Sequence, residues 1–235
     1  MDPIYAWALS FITTMAPATQ PQYFKDAKES LEEGTARRES IAKDVVDVVY
    51  ADTLPPLFTG PTGRAQEVPL VLSLMQHESG FRRDVDLGIG PAARGDGGRS
   101  WCMMQIQVGG GRTGDWNVKK GRFFQTNDPA DEIVKGWTGA ELVGDRRKCI
   151  TAGLRIIRLS FSSTSGMDVM ERLRVYASGK VDAGSEASHK RMGLAVKWFS
   201  AHPVPDTDDN VVKRLFTPTT EPTTTVSMLP FPSAA

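Results

Sequence analysis

Cysteine is scarce in this chain, with Cys102 and Cys149 the only two among 235 residues. Two cysteines exclude a scaffold built on disulfides. The first reading is a pair of small buried thiols, and the alternative is one bridge joining the two halves of a central domain. An excess of either charge is also missing, with 28 basic against 28 acidic residues. Proteins that grip DNA, RNA or an anionic membrane usually carry a basic excess, so no nucleic-acid partner is expected. The apolar run over residues 4–16 is broken by Ser10, Thr13 and Thr14, and a bilayer span takes about 20 apolar residues. It reads as a docking helix, and no membrane span is expected. The start, Met1-Asp2-Pro3-Ile4, lacks the basic opening of a Sec-type export signal.

Several chemistries are absent as well. His77, His189 and His202 have no ligand spacing with the cysteines, and no His-Glu-x-x-His occurs, which argues against zinc. The run Gly109–Gly114 lacks the Gly-Lys-Ser/Thr ending of a phosphate loop and reads as a plain loop or a flap. No Gly-x-Ser-x-Gly elbow is present, against a serine hydrolase. Neither a metal nor an organic cofactor is expected.

What remains is an ordinary globular composition, 40% hydrophobic and 24% charged. Residues 22–34 are rich in Lys, Glu and Ala, and Ile41, Val45, Val48 and Val49 recur at helical spacing within 38–51. Pro55, Pro56, Gly60 and Pro61 then break the pattern. The expected organisation is an N-terminal helical extension over 1–60, a domain over 61–203, and a flexible Thr/Pro-rich tail over 204–235. Within the domain the pattern predicts helices near 66–79, 146–162, 167–178 and 186–201, with 109–145 mainly loop.

The informative stretch is Pro69-Leu-Val-Leu-Ser-Leu-Met-Gln-His-Glu-Ser-Gly-Phe81. On a helix, Val71, Leu74, Met75 and Glu78 fall on one face, so a carboxylate ends an apolar stripe. A Glu against an apolar wall tends to hold its proton, as the general acid of a glycosidase must. His77 points about 100° away from Glu78 and reads as a surface or rim residue.

Four segments then follow in order: Glu78-Ser-Gly-Phe81, Ser100-Trp-Cys-Met-Met-Gln-Ile106, Cys149-Ile-Thr-Ala-Gly-Leu-Arg-Ile-Ile157, and Val175-Tyr-Ala-Ser-Gly179. Together they resemble the motifs of the soluble lytic transglycosylases and goose-type lysozymes, over residues 65–202. The chain departs from that pattern at Cys102-Met103, at Cys149 and at Ala177, and in a longer connection over 108–145. The resemblance implies a mainly α, lysozyme-like domain that cleaves the β-1,4 linkage between N-acetylmuramic acid and N-acetylglucosamine in peptidoglycan. Glu78 would protonate the glycosidic oxygen. The substrate's N-acetyl group would assist and its 6-hydroxyl would close a 1,6-anhydro ring, an exception to two-carboxylate catalysis. Ser100, Met104 and Gln105 would line the sugar site, and Tyr176 would present its hydroxyl near the acid. Ser79 and Phe81 read as structural.

Two rival readings stand beside this one. In an inverting lysozyme a loop aspartate, Asp86 or Asp96, would activate water. Alternatively, the fold persists without catalysis, as a structural or peptidoglycan-binding protein. Arg112, Lys119, Lys120 and Arg122, near Trp116, Phe123 and Phe124, read as a solvated loop or as a groove edge for anionic glycan. The expected place of action is the bacterial cell wall, reached in a phage particle or through a specialised secretion system. The N-terminal helices and the tail would contact other virion or secretion-machine proteins.

Overall fold

Nine α-helices, short 3-10 turns and one two-stranded ribbon form the secondary structure of the described residues, 1–20, 28–108 and 136–216, in this computed structural model. The chain is therefore mainly α. None of the described helices is long and apolar enough to cross a membrane.

The central element is α3 (Gly63–Ser79). Every residue from Val68 to Met75 is buried. The sequence pattern suggested one apolar stripe, yet the helix is enclosed on all sides, as an apolar helix in the middle of a core must be. It also begins earlier than expected, which leaves Pro69 in the helix interior rather than in its first turn. Proline there removes one helical hydrogen bond, a loss that packing on every side offsets.

The helices around α3 come from both ends of the chain. In α1 (Pro3–Met15), Asp2 caps the N-terminus by accepting from the Ile4 amide at 3.0 Å. Ile4, Ala8, Phe11 and Ile12 form its buried face. The helix α2 (Leu31–Ala51) opens with a capping box made by Ser30 and Glu33. Its Arg38, almost wholly buried, donates to the carbonyls of Ala16 and Pro17 and so satisfies the end of α1. Residues 28–30 precede α2 without helix, and residues 21–27 lie outside the described residues. Phe11 meets Trp198 of α8 (Ser185–Ala201) edge to face with ring centroids 5.0 Å apart. One buried cluster runs from Ile4 through Val71 and Trp198 to Val211. Described residues on both sides of the boundary expected at Pro61 therefore share one buried core.

The tail expected over 204–235 is helical in part, and its residues 217–235 lie outside the described residues. Residues Asp208–Phe216 form α9, with Val211 buried. Thr62, before α3, makes no side-chain cap. Asp208 supplies it instead, accepting from the amides of Arg64 at 2.7 Å and Ala65 at 3.0 Å. A carboxylate at this end satisfies orphan amides and the positive end of the helix dipole together.

After α3, a five-residue α4 (Arg83–Leu87) leads to the ribbon of β1 (Ser100–Trp101) and β2 (Ile106–Gln107), antiparallel with Ser100 opposite Gln107. Cys102, in the turn between them, is bonded to Cys149 near the start of α6 (Arg146–Ser163). The reading as two free thiols is thus overturned: the fold brings together two residues 47 positions apart. Part of the expected 109–145 loop is helical, since Thr138 and Glu141 cap α5 (Gly139–Gly144) with a capping box. Residues 109–135, including Gly109–Gly114 and the basic cluster from Arg112 to Arg122, lie outside the described residues. The segment expected as a helix over 167–178 is instead a 3-10 turn at Val169–Glu171 and the short α7 (Arg174–Ser178).

Candidate active site

The segment Glu78-Ser79-Gly80-Phe81 is a helix stop. Ser79 donates back to the Met75 carbonyl at 2.8 Å. Gly80 closes α3 in the left-handed region (φ 58°), with its amide on the Gln76 carbonyl at 3.0 Å. Phe81 is also left-handed (φ 54°) and fully buried, and its carbonyl accepts from Arg37 at 2.9 Å. Glu78 sits immediately before this stop, at the rim of the core.

There Glu78 lines a cavity of about 490 Å³ that is also walled by Asp96, Ser100, Met104, Gln105, Tyr176 and Arg191. The four sequence segments, remote along the chain, thus meet at one hollow. Each arrives by a different element: Glu78 on α3, Ser100 to Gln105 on the ribbon, and Tyr176 on α7. The third segment contributes α6, whose Gly153 leaves room for Met104. A Cβ at Gly153 would lie 2.2 Å from the Met104 sulfur, far inside van der Waals contact.

The Glu78 side chain is 18% exposed and is paired with Arg191 of α8. Arg191 Nε and Nη2 both donate to Oε1, at 2.9 and 2.7 Å. Oε2 accepts no hydrogen bond among the described residues and is not sealed from solvent. Burial raises the carboxyl above its ordinary value, the Arg191 charge and hydrogen bonds oppose that, and the negative charge of Asp96 adds to the rise. The net direction is upward.

The other cavity residues are held by their own partners. Tyr176 donates to the Met104 carbonyl at 2.8 Å. Burial, then the Glu78 charge, pushes this phenol well above its usual range, so it stays neutral. It reaches the site because Ser160, fully buried on α6, accepts from the amides of Val175 and Tyr176 at 3.1 and 3.2 Å. Gln105 accepts from the Gly95 amide at 3.0 Å and donates to the Cys102 carbonyl at 3.1 Å, so both ends of its amide brace the turn. Ser100 donates to Asp96 Oδ2 at 2.9 Å, and Gln107 donates to the same oxygen at 2.5 Å. Asp96, Cys102 and Gln105 all have positive φ, at 51°, 57° and 48°. Three such residues without glycine's freedom mark a stretch whose shape is imposed by its surroundings.

Asp86 is a correction. It is buried away from the cavity, accepting from Arg146 Nε and Nη2 at 3.0 and 2.9 Å, with Arg37 3.8 Å away. These pairs join α4 to α6 and α2, so Asp86 is a structural anchor and does not line the cavity. Asp84 is likewise buried and paired with Arg82. His77 is exposed, as its helical position implied. Arg191 is the site residue that sequence reasoning missed. It belongs to none of the four segments and lies 113 positions from its partner, so no local pattern announces it.

Among the described residues no cluster of three His, Cys, Asp or Glu side chains could hold a metal ion. The chemistry on offer is that of one carboxyl with a raised pKa, a neutral phenol and a second carboxylate around an open hollow. Compared with models of known protein families, with curated proteins and with solved structures, the chain matches none.

Proposed function

We propose that this chain is a peptidoglycan-cleaving enzyme with a lysozyme-like domain, and that Glu78 is its general acid. The observation that carries the reading is that Glu78, Ser100, Met104, Gln105 and Tyr176, the positions shared with the lytic transglycosylase motifs, line one cavity. In it the acid has a raised pKa and one unoccupied oxygen. A glycan strand entering this hollow would displace water, which further disfavours the charged carboxylate.

In the transglycosylase reading, a proton on Glu78 passes to the glycosidic oxygen as the C1–O bond breaks. The 2-acetamido oxygen closes on C1 and takes up the developing positive charge. The 6-hydroxyl of the same sugar then attacks C1, releasing the acetamido oxygen and returning its proton to Glu78. The products are a 1,6-anhydro end and a free 4-hydroxyl, and no external reactant is consumed. The place of action proposed is the bacterial cell wall. The Cys102–Cys149 bridge suits the oxidising side of the membrane, where such bonds persist.

Asp96 favours a second reading. It lines the same cavity and raises the Glu78 pKa through its charge, which is what the second carboxylate of an inverting hydrolase would do. One digest of purified peptidoglycan, resolved by mass spectrometry, separates these readings. Fragments with 1,6-anhydro ends support the transglycosylase, and reducing ends alone support the hydrolase. Equal fragment release by wild type and Glu78→Gln would sink both and leave a binding or structural protein.

A further inference from the structure

The contacts of Arg191 go beyond pairing a charge. Two of its donors meet one oxygen of Glu78, Oε1, while its Nη1 donates to the Ala187 carbonyl one turn earlier on α8, at 3.0 Å. Its own carbonyl accepts from the Ser73 hydroxyl at 2.6 Å. Ser73 is fully buried in the apolar middle of α3, where a hydroxyl needs a partner. It finds one 118 positions away, on the residue whose guanidinium holds Glu78, five positions further along Ser73's own helix. The helices α3 and α8 are thus tied twice through one arginine, once at its backbone and once at its side chain.

We propose that Arg191 is a positioning residue: it occupies Oε1, so that Oε2 is the oxygen that carries the transferable proton, and Ser73 sets the place of Arg191. The inference rests on the reading of Glu78 as general acid. Its physical basis is the count of lone pairs. Two N–H donors use both lone pairs of Oε1, and guanidinium has no acceptor to offer an O–H in return. A proton therefore resides on Oε2. With Oε1 pinned at two points, the carboxyl also loses the freedom to rotate. The titratable and charged groups facing Glu78 are Arg191 from α8, Asp96 from the loop before β1, and the neutral Tyr176 from α7. His77 on α3 and Lys190 on α8 stand beside Arg191. Arg37 of α2 is engaged with Phe81, Glu29 and Asp86.

The test is a ¹³C NMR titration of side-chain carboxyls in the full chain without substrate, for wild type, Arg191→Met and Arg191→Lys. A pH–rate profile on peptidoglycan accompanies it. Removing a charge that favours the ionised form raises the Glu78 pKa. In Arg191→Met the titration and the alkaline limb of the profile therefore move up together, by about 1–3 pH units. Turnover falls on the order of 10²-fold as the carboxyl loses its orientation, with KM close to wild type. Lysine keeps the charge but not the fork, so Arg191→Lys returns the limb toward wild type and leaves turnover low. An Arg191→Met titration at the wild-type position would overturn the proposal. So would full rescue of turnover by lysine, since charge alone would then suffice. Should Arg191→Met not fold, Arg191→Lys and Ser73→Ala decide. Lowered turnover at unchanged KM in both supports the proposal, and wild-type turnover in both overturns it. The titration needs no catalysis, so a protein that cleaves no glycan loses its proposed function on the digest while NMR still decides whether Arg191 engages the Glu78 carboxyl.

Discussion

Glu67 and Glu78 stand about three turns apart on α3, and they share more than a helix. Both carboxyls are raised by burial, and in both the opposing influence is arginine. Their surroundings then part. Glu67 has no exposed side-chain surface, and both its oxygens are taken: the Leu57 amide donates to Oε1 at 2.6 Å, and Arg158 donates to Oε2 at 3.3 Å. With Asp52, which accepts from Arg155 and Arg158 at 2.8–3.0 Å, it joins the segment after α2 to α3 and α6. Glu78 keeps one oxygen without a partner among the described residues, on the wall of a cavity of about 490 Å³. Burial and an arginine therefore do not identify an acid. An unoccupied oxygen facing space for a substrate does, because proton transfer needs hydrogen-bond reach to the reacting atom.

The comparison is broken most directly at the two glutamates. Glu78→Gln is expected to lower fragment release from peptidoglycan by about 10²–10⁴-fold, the usual worth of a general acid. Glu67→Ala is expected to leave turnover per folded molecule near wild type. Its effect falls on stability, about 1–3 kcal/mol, since the Leu57 amide loses its acceptor while Arg158 keeps Asp52 and the Pro55 carbonyl. Denaturant midpoints beside a peptidoglycan assay separate the two outcomes, and loss of turnover in folded Glu67→Ala would erase the distinction drawn here.

The bridge comes next in size. Joining Cys102 to Cys149 closes a loop across 47 positions, worth up to about 4 kcal/mol by restriction of the unfolded chain. Reduction, or replacement of both cysteines by alanine, should lower the urea midpoint accordingly. An unchanged midpoint would mean that the ribbon is held by its packing alone.

The smallest effects are electrostatic. A carboxyl whose pKa is higher folded than unfolded contributes stability that is complete below the unfolded value, about 4.3. That contribution is lost as pH rises through the folded value. Glu78 follows this rule, so Glu78→Gln should be at least as stable as wild type at pH 7, with any gain gone below about pH 4. Melting curves across this range check it, and a loss of stability largest at neutral pH would contradict it. Asp96→Asn removes a charge that raises the Glu78 pKa, so the alkaline limb of the cleavage profile should move to lower pH. A fall in rate as deep as that of Glu78→Gln would instead assign Asp96 the role of base.

Much of the site was legible in the residues. Glu78 stood out because an apolar run and the Ser79-Gly80-Phe81 stop are short-range signals, each decided within a few positions of the chain. Ser100, Met104, Gln105 and Tyr176 were found through ordered segments and do line the cavity. Their contacts were not legible: Gln105 and Ser100 spend their polar groups on Gly95, Cys102 and Asp96. The choice between Asp86 and Asp96 was not legible either. Both lie in the same Asp-rich stretch, and only the approach of Arg146 to Asp86, from 60 positions away, separates them.

By itself, the sequence determined that the chain is mainly helical, where most of its helices lie, and which carboxylate ends the apolar run of α3. Those properties follow from residue spacing, caps and breakers, which act over one or two turns. Tertiary structure alone decided that residues from both ends of the chain share the core, that Asp208 caps α3, and that Cys102 meets Cys149. It also decided that Arg191 and Ser73 govern the surroundings of Glu78. Each of these joins groups brought together from more than forty positions apart. Burial strengthens such pairings by removing competing water, yet nothing local in the chain encodes which partner arrives.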